Sequence, residues 1–222
     1  MKLEDVETYS VKLERQFKDG PVVRESWVNE RDELHRTNGP AFQLFDEATG
    51  TVLRREYRLN GINMRSDGPC AETWDKETGE LVSQVWGSIS GAHREHGKPA
   101  SITRCPNSGL LLAEEYLENG LHHREGGPSV IHRDPETGIV TFEEHHVQGL
   151  LHRDDDLPAH VRRDPTTGVV TLAEYYVQDS LHRNTGPARI IRDPNSGQIS
   201  EVEFFENGER LEPFSNSGDP SP

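Results

Sequence analysis

The sequence predicts an all-β repeat protein: an elongated, twisted, single-layer antiparallel meander of β-hairpins, open at both ends. Three observations predict it. The phrase Leu-His-Arg-x-x-Gly-Pro-Ala recurs along the chain, whole at Leu34–Ala41 and Leu181–Ala188. A turn signature ending in Gly lies about ten residues after the Pro of each copy. The run after each turn is rich in β-branched and aromatic residues, as strands are.

The phrase sets the period. Degraded copies begin at Asn63, Ala92, His122 and Leu151, and the arginines fall at Arg36, Arg65, Arg94, Arg124, Arg153 and Arg183, spaced by 29, 29, 30, 29 and 30 residues. Self-similarity at such a period marks stacked supersecondary units. The turn segments run Asp46–Gly50, Asp75–Gly79, Cys105–Gly109, Asp134–Gly138, Asp164–Gly168 and Asp193–Gly197. Pro pre-sets φ for a type I turn, the preceding Asp bonds the turn backbone, and the closing Gly supplies the left-handed residue of a bulged hairpin loop. Strand-like runs such as Val169–Val177 and Ile139–Val147 follow, and a second turn, often Asn-Gly, returns the chain to the next phrase.

One repeat therefore reads as one hairpin. The organisation expected is an N-terminal cap with an incomplete repeat over 1–33, six hairpin repeats over 34–211 and a disordered tail over 212–222. Twelve or thirteen strands at about 4.8 Å each give an array some 60 Å long that curls rather than staying flat.

Composition bounds the function. Only 32% of the residues are hydrophobic, too few for a thick core, and the formal charge of −15 disfavours direct binding to nucleic acid or to anionic membranes. Basic proteins become the plausible partners. Two cysteines, Cys70 and Cys105, make neither a metal spacing nor a disulfide framework. The start of the chain is charged throughout, and no stretch reads as a membrane span. A cytoplasmic protein is the expectation.

The pattern Glu-Tyr-x-x-Asn-Gly-x-Leu-His-Arg-x-x-Gly-Pro-Ala, best kept over Glu56–Pro69 and Glu115–Pro128, resembles the MORN-like repeat variants of bacterial, phage and large-virus proteins, antitoxin-type proteins among them. The resemblance covers about residues 25–211. It implies a ribbon of hairpins used for protein association, and it brings no enzymatic residue. It also implies a host-cytoplasm location if the chain is phage-encoded.

Stacking turns each repeat position into a column. Arg36, Arg65, Arg94, Arg124, Arg153 and Arg183 form one; Glu56, Glu115, Glu144, Glu174 and Glu203 form another, broken at Val85. The expected role is structural: Arg and Glu pair between adjacent strands, and the aromatic column Tyr57, Trp86, Tyr116, His145, Tyr175 and Phe204 covers the pair. An apolar column lies at Val52, Leu81, Leu111, Val140, Val170 and Ile199. The histidines of the phrase do not chelate, because equivalent residues two strands apart lie about 9.6 Å apart, beyond the reach of one ion. No nucleophile elbow, phosphate loop or zinc-protease motif occurs, so neither enzyme chemistry nor a cofactor or metal is expected.

Recognition is expected where repeats differ. The first strand of each hairpin carries Phe42, Phe45 and Trp74 early in the chain and Arg104, Arg133, Arg163 and Arg192 later, and the last repeat adds Glu201, Glu203 and Glu206. Aromatics and Arg are the usual interface anchors. The function expected is a non-catalytic protein-binding module, an inhibitor of antitoxin or phage anti-defence type that docks along the ribbon. Two alternatives stand beside it: an acidic mimic of nucleic acid that blocks a DNA- or RNA-binding protein, and a self-assembling scaffold, for which edge strands would allow a homodimer.

Overall fold

In the structure, a computed structural model, residues 9–211 are described; the tail expected at 212–222 and residues 1–8 lie outside them. The protein is all-β and an open antiparallel meander of hairpins. No helix occurs among the described residues, so none is long and apolar enough to cross a membrane. The chain divides into two compact units, residues 1–125 and 126–222.

The described residues of the first unit form eight ladder strands in chain order: Ser10–Arg15, Val22–Val28, Phe42–Phe45, Val52–Glu56, Ala71–Trp74, Leu81–Val85, Ser101–Arg104 and Leu111–Glu115. The second has seven: Val130–Arg133, Val140–Glu144, His160–Arg163, Val170–Glu174, Arg189–Arg192, Ile199–Glu206 and Glu209–Leu211. Within each unit the first strand does not pair with the last, so neither closes into a barrel. The fifteen ladder strands exceed the twelve or thirteen expected. Ser10–Arg15 supplies a partner for Val22–Val28, and Glu209–Leu211 adds a strand after the last long hairpin.

Each full repeat holds two hairpins rather than one. The long ladder hairpin turns through the Asp-x-x-Thr/Ser-Gly segment. All six closing glycines, Gly50, Gly79, Gly109, Gly138, Gly168 and Gly197, have positive φ, and the register shifts by one residue just before each turn, the signature of a G1-type bulge. The Asp Oδ1 accepts the backbone N–H groups two and three residues on, as in Asp134 to Glu136 and Thr137 at 3.0 and 2.8 Å.

The second hairpin is a ribbon of two-residue strands, such as Arg58–Leu59 with Ile62–Asn63 and Tyr176–Val177 with Ser180–Leu181. Its Asn-Gly turn is of type I′, with φ of 49° at Asn60 and 78° at Gly61. The Leu-His-Arg phrase then crosses back as irregular chain, not as a ladder strand. Ribbon and ladder meet at the last residue of the phrase. Ala41, Cys70, Ala100, Ser129, Ala159 and Ala188 have no exposed surface, and their amides carry the ladder across the junction, as in Ala41 N–H to Glu56 O at 2.8 Å.

That column tolerates only small side chains, and its two exceptions are compensated. Opposite Cys70 stands Gly87, where a Cβ would lie 3.0 Å from the Cys70 Sγ. Opposite Ser129 stands His146, whose Nδ1 is hydrogen-bonded to the Ser129 hydroxyl at 2.8 Å.

Candidate protein interface

Among the described residues Arg36, Arg65, Arg94, Arg153 and Arg183 do not pair with the glutamate column. Five of the six guanidinium groups lie on the aromatic residue of the preceding hairpin: Arg36 on Trp27, Arg65 on Tyr57, Arg94 on Trp86, Arg124 on Tyr116 and Arg183 on Tyr175, with the guanidinium carbon 3.6 to 4.0 Å from the ring centre. Arg153 belongs to the repeat whose column residue is His145. In Arg36, Arg65, Arg94, Arg153 and Arg183 the same atom, Nη1, donates to the carbonyl of the phrase proline. The cation–π shelf and this bond fix the loop that joins ribbon to ladder.

The glutamates face the other way. Glu and aromatic are adjacent in sequence, so they point to opposite sides of a strand, and one arginine cannot serve both. Glu56 is instead bonded by Arg54 and Arg58, two residues to either side, at 2.6 and 2.8 Å. In the second unit the partners come from the neighbouring strand. Glu174, 5% exposed, accepts from His160 Nδ1 at 3.0 Å and from Arg189 Nε at 2.6 Å, and Arg189 Nη1 reaches Glu203 at 2.8 Å. Arg162 donates to His160 Nε2, so that nitrogen is unprotonated and the proton sits on Nδ1. The His160 and Arg189 hydrogen bonds hold the Glu174 carboxyl at about 2. Glu115 pairs with His122 at 3.2 Å, and Glu144 approaches His146 at 3.8 Å.

Three of the phrase histidines are acceptors, while His152 turns its Nε2 to Asp154 at 3.1 Å. His35, His93 and His182 Nδ1 take the amide of Asn60, Asn119 and Asn207, the first turn residue of the next ribbon, at 2.9, 3.3 and 3.1 Å. The second turn amide goes to the Leu carbonyl or its counterpart in the same phrase, as in Gly61 to Leu34 and Gly208 to Leu181. Both amides of a type I′ turn are thus satisfied by the preceding repeat. Among the described residues no group of three or more His, Cys, Asp or Glu is placed to hold a metal ion. The Ser129 hydroxyl beside His146 is fully buried, out of a substrate's reach. Burial raises the Cys70 thiol, while hydrogen bonds from Ser108 lower that of Cys105, which stands where other turns have Asp.

Phe45, Trp74, Arg104, Arg133, Arg163 and Arg192 occupy one register position, each opposite a member of the apolar column: Val52, Leu81, Leu111, Val140, Val170 and Ile199. Phe42 lies on the other face under Arg24, 5.2 Å from ring centre to guanidinium carbon. Arg163 is held by Glu143 at 2.6 Å. Glu203 is enclosed by Arg189 and Arg210, whereas Glu201 and Glu206 are exposed.

Column reasoning passed over the ribbon edge. Ile62, Ile89 and Leu121 in the first unit, and Val147, Leu150 and Val177 in the second, are exposed apolar side chains at the ribbon turns, Ile89 to 73%. The signal is present in the sequence as Leu, Ile or Val beside or within the second turn of the first five repeats. Comparison with family models, with curated proteins and with solved structures finds no match to this chain.

Proposed function

We propose that the protein is a non-catalytic binding module that docks a partner protein along its ribbon edge. The observation that carries this reading is a set of exposed apolar side chains at the ribbon turns, three in each unit: Ile62, Leu121 and Leu150 just after a turn, Val147 and Val177 just before one, and Ile89 within one. Exposed apolar side chains grouped within polar surroundings mark interaction sites. Groups with chemical capability are engaged elsewhere, His35, His93 and His182 as turn acceptors and Glu56, Glu174 and Glu203 as ion-pair partners. The net charge of −15 favours a partner with basic residues around an apolar strip. The MORN-like resemblance supports the same reading, with an inhibitor or antitoxin-like role as its narrower form.

Affinity capture from a native host tests it. Wild-type protein retains a partner, and the triple variant Ile62→Glu, Ile89→Glu, Leu121→Glu or its second-unit equivalent Val147→Glu, Leu150→Glu, Val177→Glu loses it while keeping the wild-type circular dichroism. Wild-type protein that captures nothing, or variants that capture equally, overturns the reading. Nucleic-acid mimicry is weakened by the pairing of Glu174 and Glu203 with Arg189, which breaks up any phosphate-like array. Self-assembly has one specific observation in its favour: Ser10–Arg15 is exposed along its whole length, and Ile199, Val202 and Phe204 are exposed on the last long strand. Light scattering across a concentration series separates it, since assembly makes the mass rise with concentration.

A further inference from the structure

The shelf arginines share one orientation, and two of them show what it is suited to hold. With Nη1 turned to the proline carbonyl, the guanidinium keeps its Nε and Nη2 edge for another partner. On Arg183 that edge holds Asp156, at 3.0 Å from Nε and 2.8 Å from Nη2, with the Thr185 hydroxyl also donating to the carboxylate. On Arg65 the edge holds Asp67, at 2.7 Å from Nε. Asp156 comes from the preceding repeat's loop, Arg153-Asp-Asp-Asp-Leu-Pro158, which is one residue longer than Arg65-Ser-Asp-Gly-Pro69.

Arg94 stands on its shelf in the same way, 3.6 Å above Trp86 and with Nη1 on Pro99 O at 3.3 Å. Among the described residues no carboxylate pairs with it, and burial, with no counter-charge, lowers its pKa. The preceding loop is the short one, Ser66–Gly68, and its only carboxylate, Asp67, is taken by Arg65. Between the Arg65–Gly68 loop and Arg94 a groove of about 550 Å³ opens, lined by Ser66, Gly68, Trp86, Arg94, His96 and Lys98 among others. Glu95 follows Arg94 directly and turns to His96, 3.7 Å away. The Arg65–Asp67 pair cancels, and Arg94 and Lys98 against Glu95 leave one positive charge, which suits a monoanion.

We propose that this groove takes one acidic side chain of a partner polypeptide, its carboxylate gripped by Arg94 Nε and Nη2 as Asp156 is gripped by Arg183. The proposal deepens the reading of the protein as a binding module and rests on it. The bulk charge steers a basic partner, and this one site reads a single Asp or Glu within it.

The test is an NMR titration of the arginine Nε–H resonances of the full chain with the methylamide of N-acetyl-aspartate. The Arg94 signal is expected to move downfield and saturate, while those of Arg65 and Arg183 stay in place. Arg94→Lys weakens the fitted affinity by at least about tenfold, because it loses the planar fork. Asp156→Ala frees the Arg183 edge and makes that resonance respond to the same probe, even if the Arg94 variant folds poorly. No movement at Arg94, or equal movement with the uncharged asparagine analogue, overturns the proposal. Tighter binding of inorganic phosphate than of the aspartate probe also overturns it, in favour of a phosphate site. A failed titration leaves the capture experiment above untouched, and partner capture unaltered by Arg94→Lys sinks this site alone.

Discussion

The glutamate face of the first unit and that of the second are built from the same repeat and solve the burial of a carboxylate differently. In the first, Glu56 is held by chain neighbours, Arg54 of its own strand and Arg58 of the following ribbon, and the strands beyond it carry Ala71, Val85 and Ser101 at the paired positions. In the second, the paired positions carry His160 and Arg189, and the glutamates join across strands into a chain from His160 through Glu174 and Arg189 to Glu203. The difference teaches that a repeated glutamate does not define a repeated interaction. What the neighbouring strand offers at that register decides whether the carboxylate knits the sheet or only satisfies itself.

The largest expected effect breaks that chain. Glu174→Leu leaves His160 without its carboxylate and Arg189 with Glu203 alone, and should cost about 3 kcal/mol, the low end for removing one member of a buried pair, because Arg189 is partly hydrated and keeps one partner. Glu115→Leu in the first unit removes a half-exposed carboxylate and should cost under about 1 kcal/mol. Urea denaturation midpoints of the two variants measure the contrast. Equal costs would mean that the cross-strand chain holds nothing together.

Acid titration sharpens the same comparison. The Glu174 carboxyl is depressed from 4.5 to about 2, so its contribution is fully present above about pH 4.5 and is lost as pH falls towards 2. A shift of this size corresponds to at most about 3 kcal/mol of pH-dependent stability. Wild-type protein should therefore lose stability over that window, and Glu174→Gln should show a shallower slope. Parallel curves for the two proteins would contradict the assignment.

How much of this could be read in the sequence follows from the range of the interactions involved. The repeat, the turn glycines and the Asp that braces each turn are local chemistry, and they were legible residue by residue. The partner of the phrase arginines was not: the expected pairing with the glutamate column gave way to stacking on the aromatic column, because which face each residue takes is set at the ribbon junction. The two-residue ribbon was read as part of one hairpin, since Asn-Gly signals a turn but not how far the strands on either side stay in the ladder. The small residue that ends each phrase was legible as a pattern, Ala, Cys, Ala, Ser, Ala and Ala. Its meaning, a fully buried junction, came only from the packing.

The junction column gives a smaller effect and again separates the units. Gly87→Ala in the first unit places a Cβ against the Cys70 Sγ and the Asn63 carbonyl, at 3.0 and 3.1 Å, and should cost about 1–3 kcal/mol as overpacking. Adding Cys70→Ala should recover part of that loss. In the second unit Ala159→Cys, at a fully buried position with Tyr176 where the first unit has Gly87 in sequence, should cost a similar amount with no such rescue at hand. Thermal unfolding of the single and double variants checks the coupling, and strict additivity of Gly87→Ala with Cys70→Ala would show that the two side chains do not share the space.

The smallest effect concerns the histidines, and it tests whether repeats are joined at the ribbon edge as well as through the ladder. His35 Nδ1 accepts the Asn60 amide at 2.9 Å, and His182 Nδ1 accepts the Asn207 amide at 3.1 Å. The donor in each case is the first residue of a type I′ turn, whose amide has no partner within its own hairpin. His35→Phe and His182→Phe keep a planar ring but remove the acceptor, and each should cost about 0.5–1.5 kcal/mol, the net worth of one hydrogen bond with water nearby. The sharper readout is amide exchange. Loss of the acceptor should speed exchange at Asn60 or Asn207 by about threefold to tenfold, while Gly61 and Gly208, bonded to the Leu34 and Leu181 carbonyls, change less. If Asn60 and Asn207 exchange at wild-type rates in these variants, the histidine is only a space-filler, and the ribbons are held to one another by the leucine carbonyls alone.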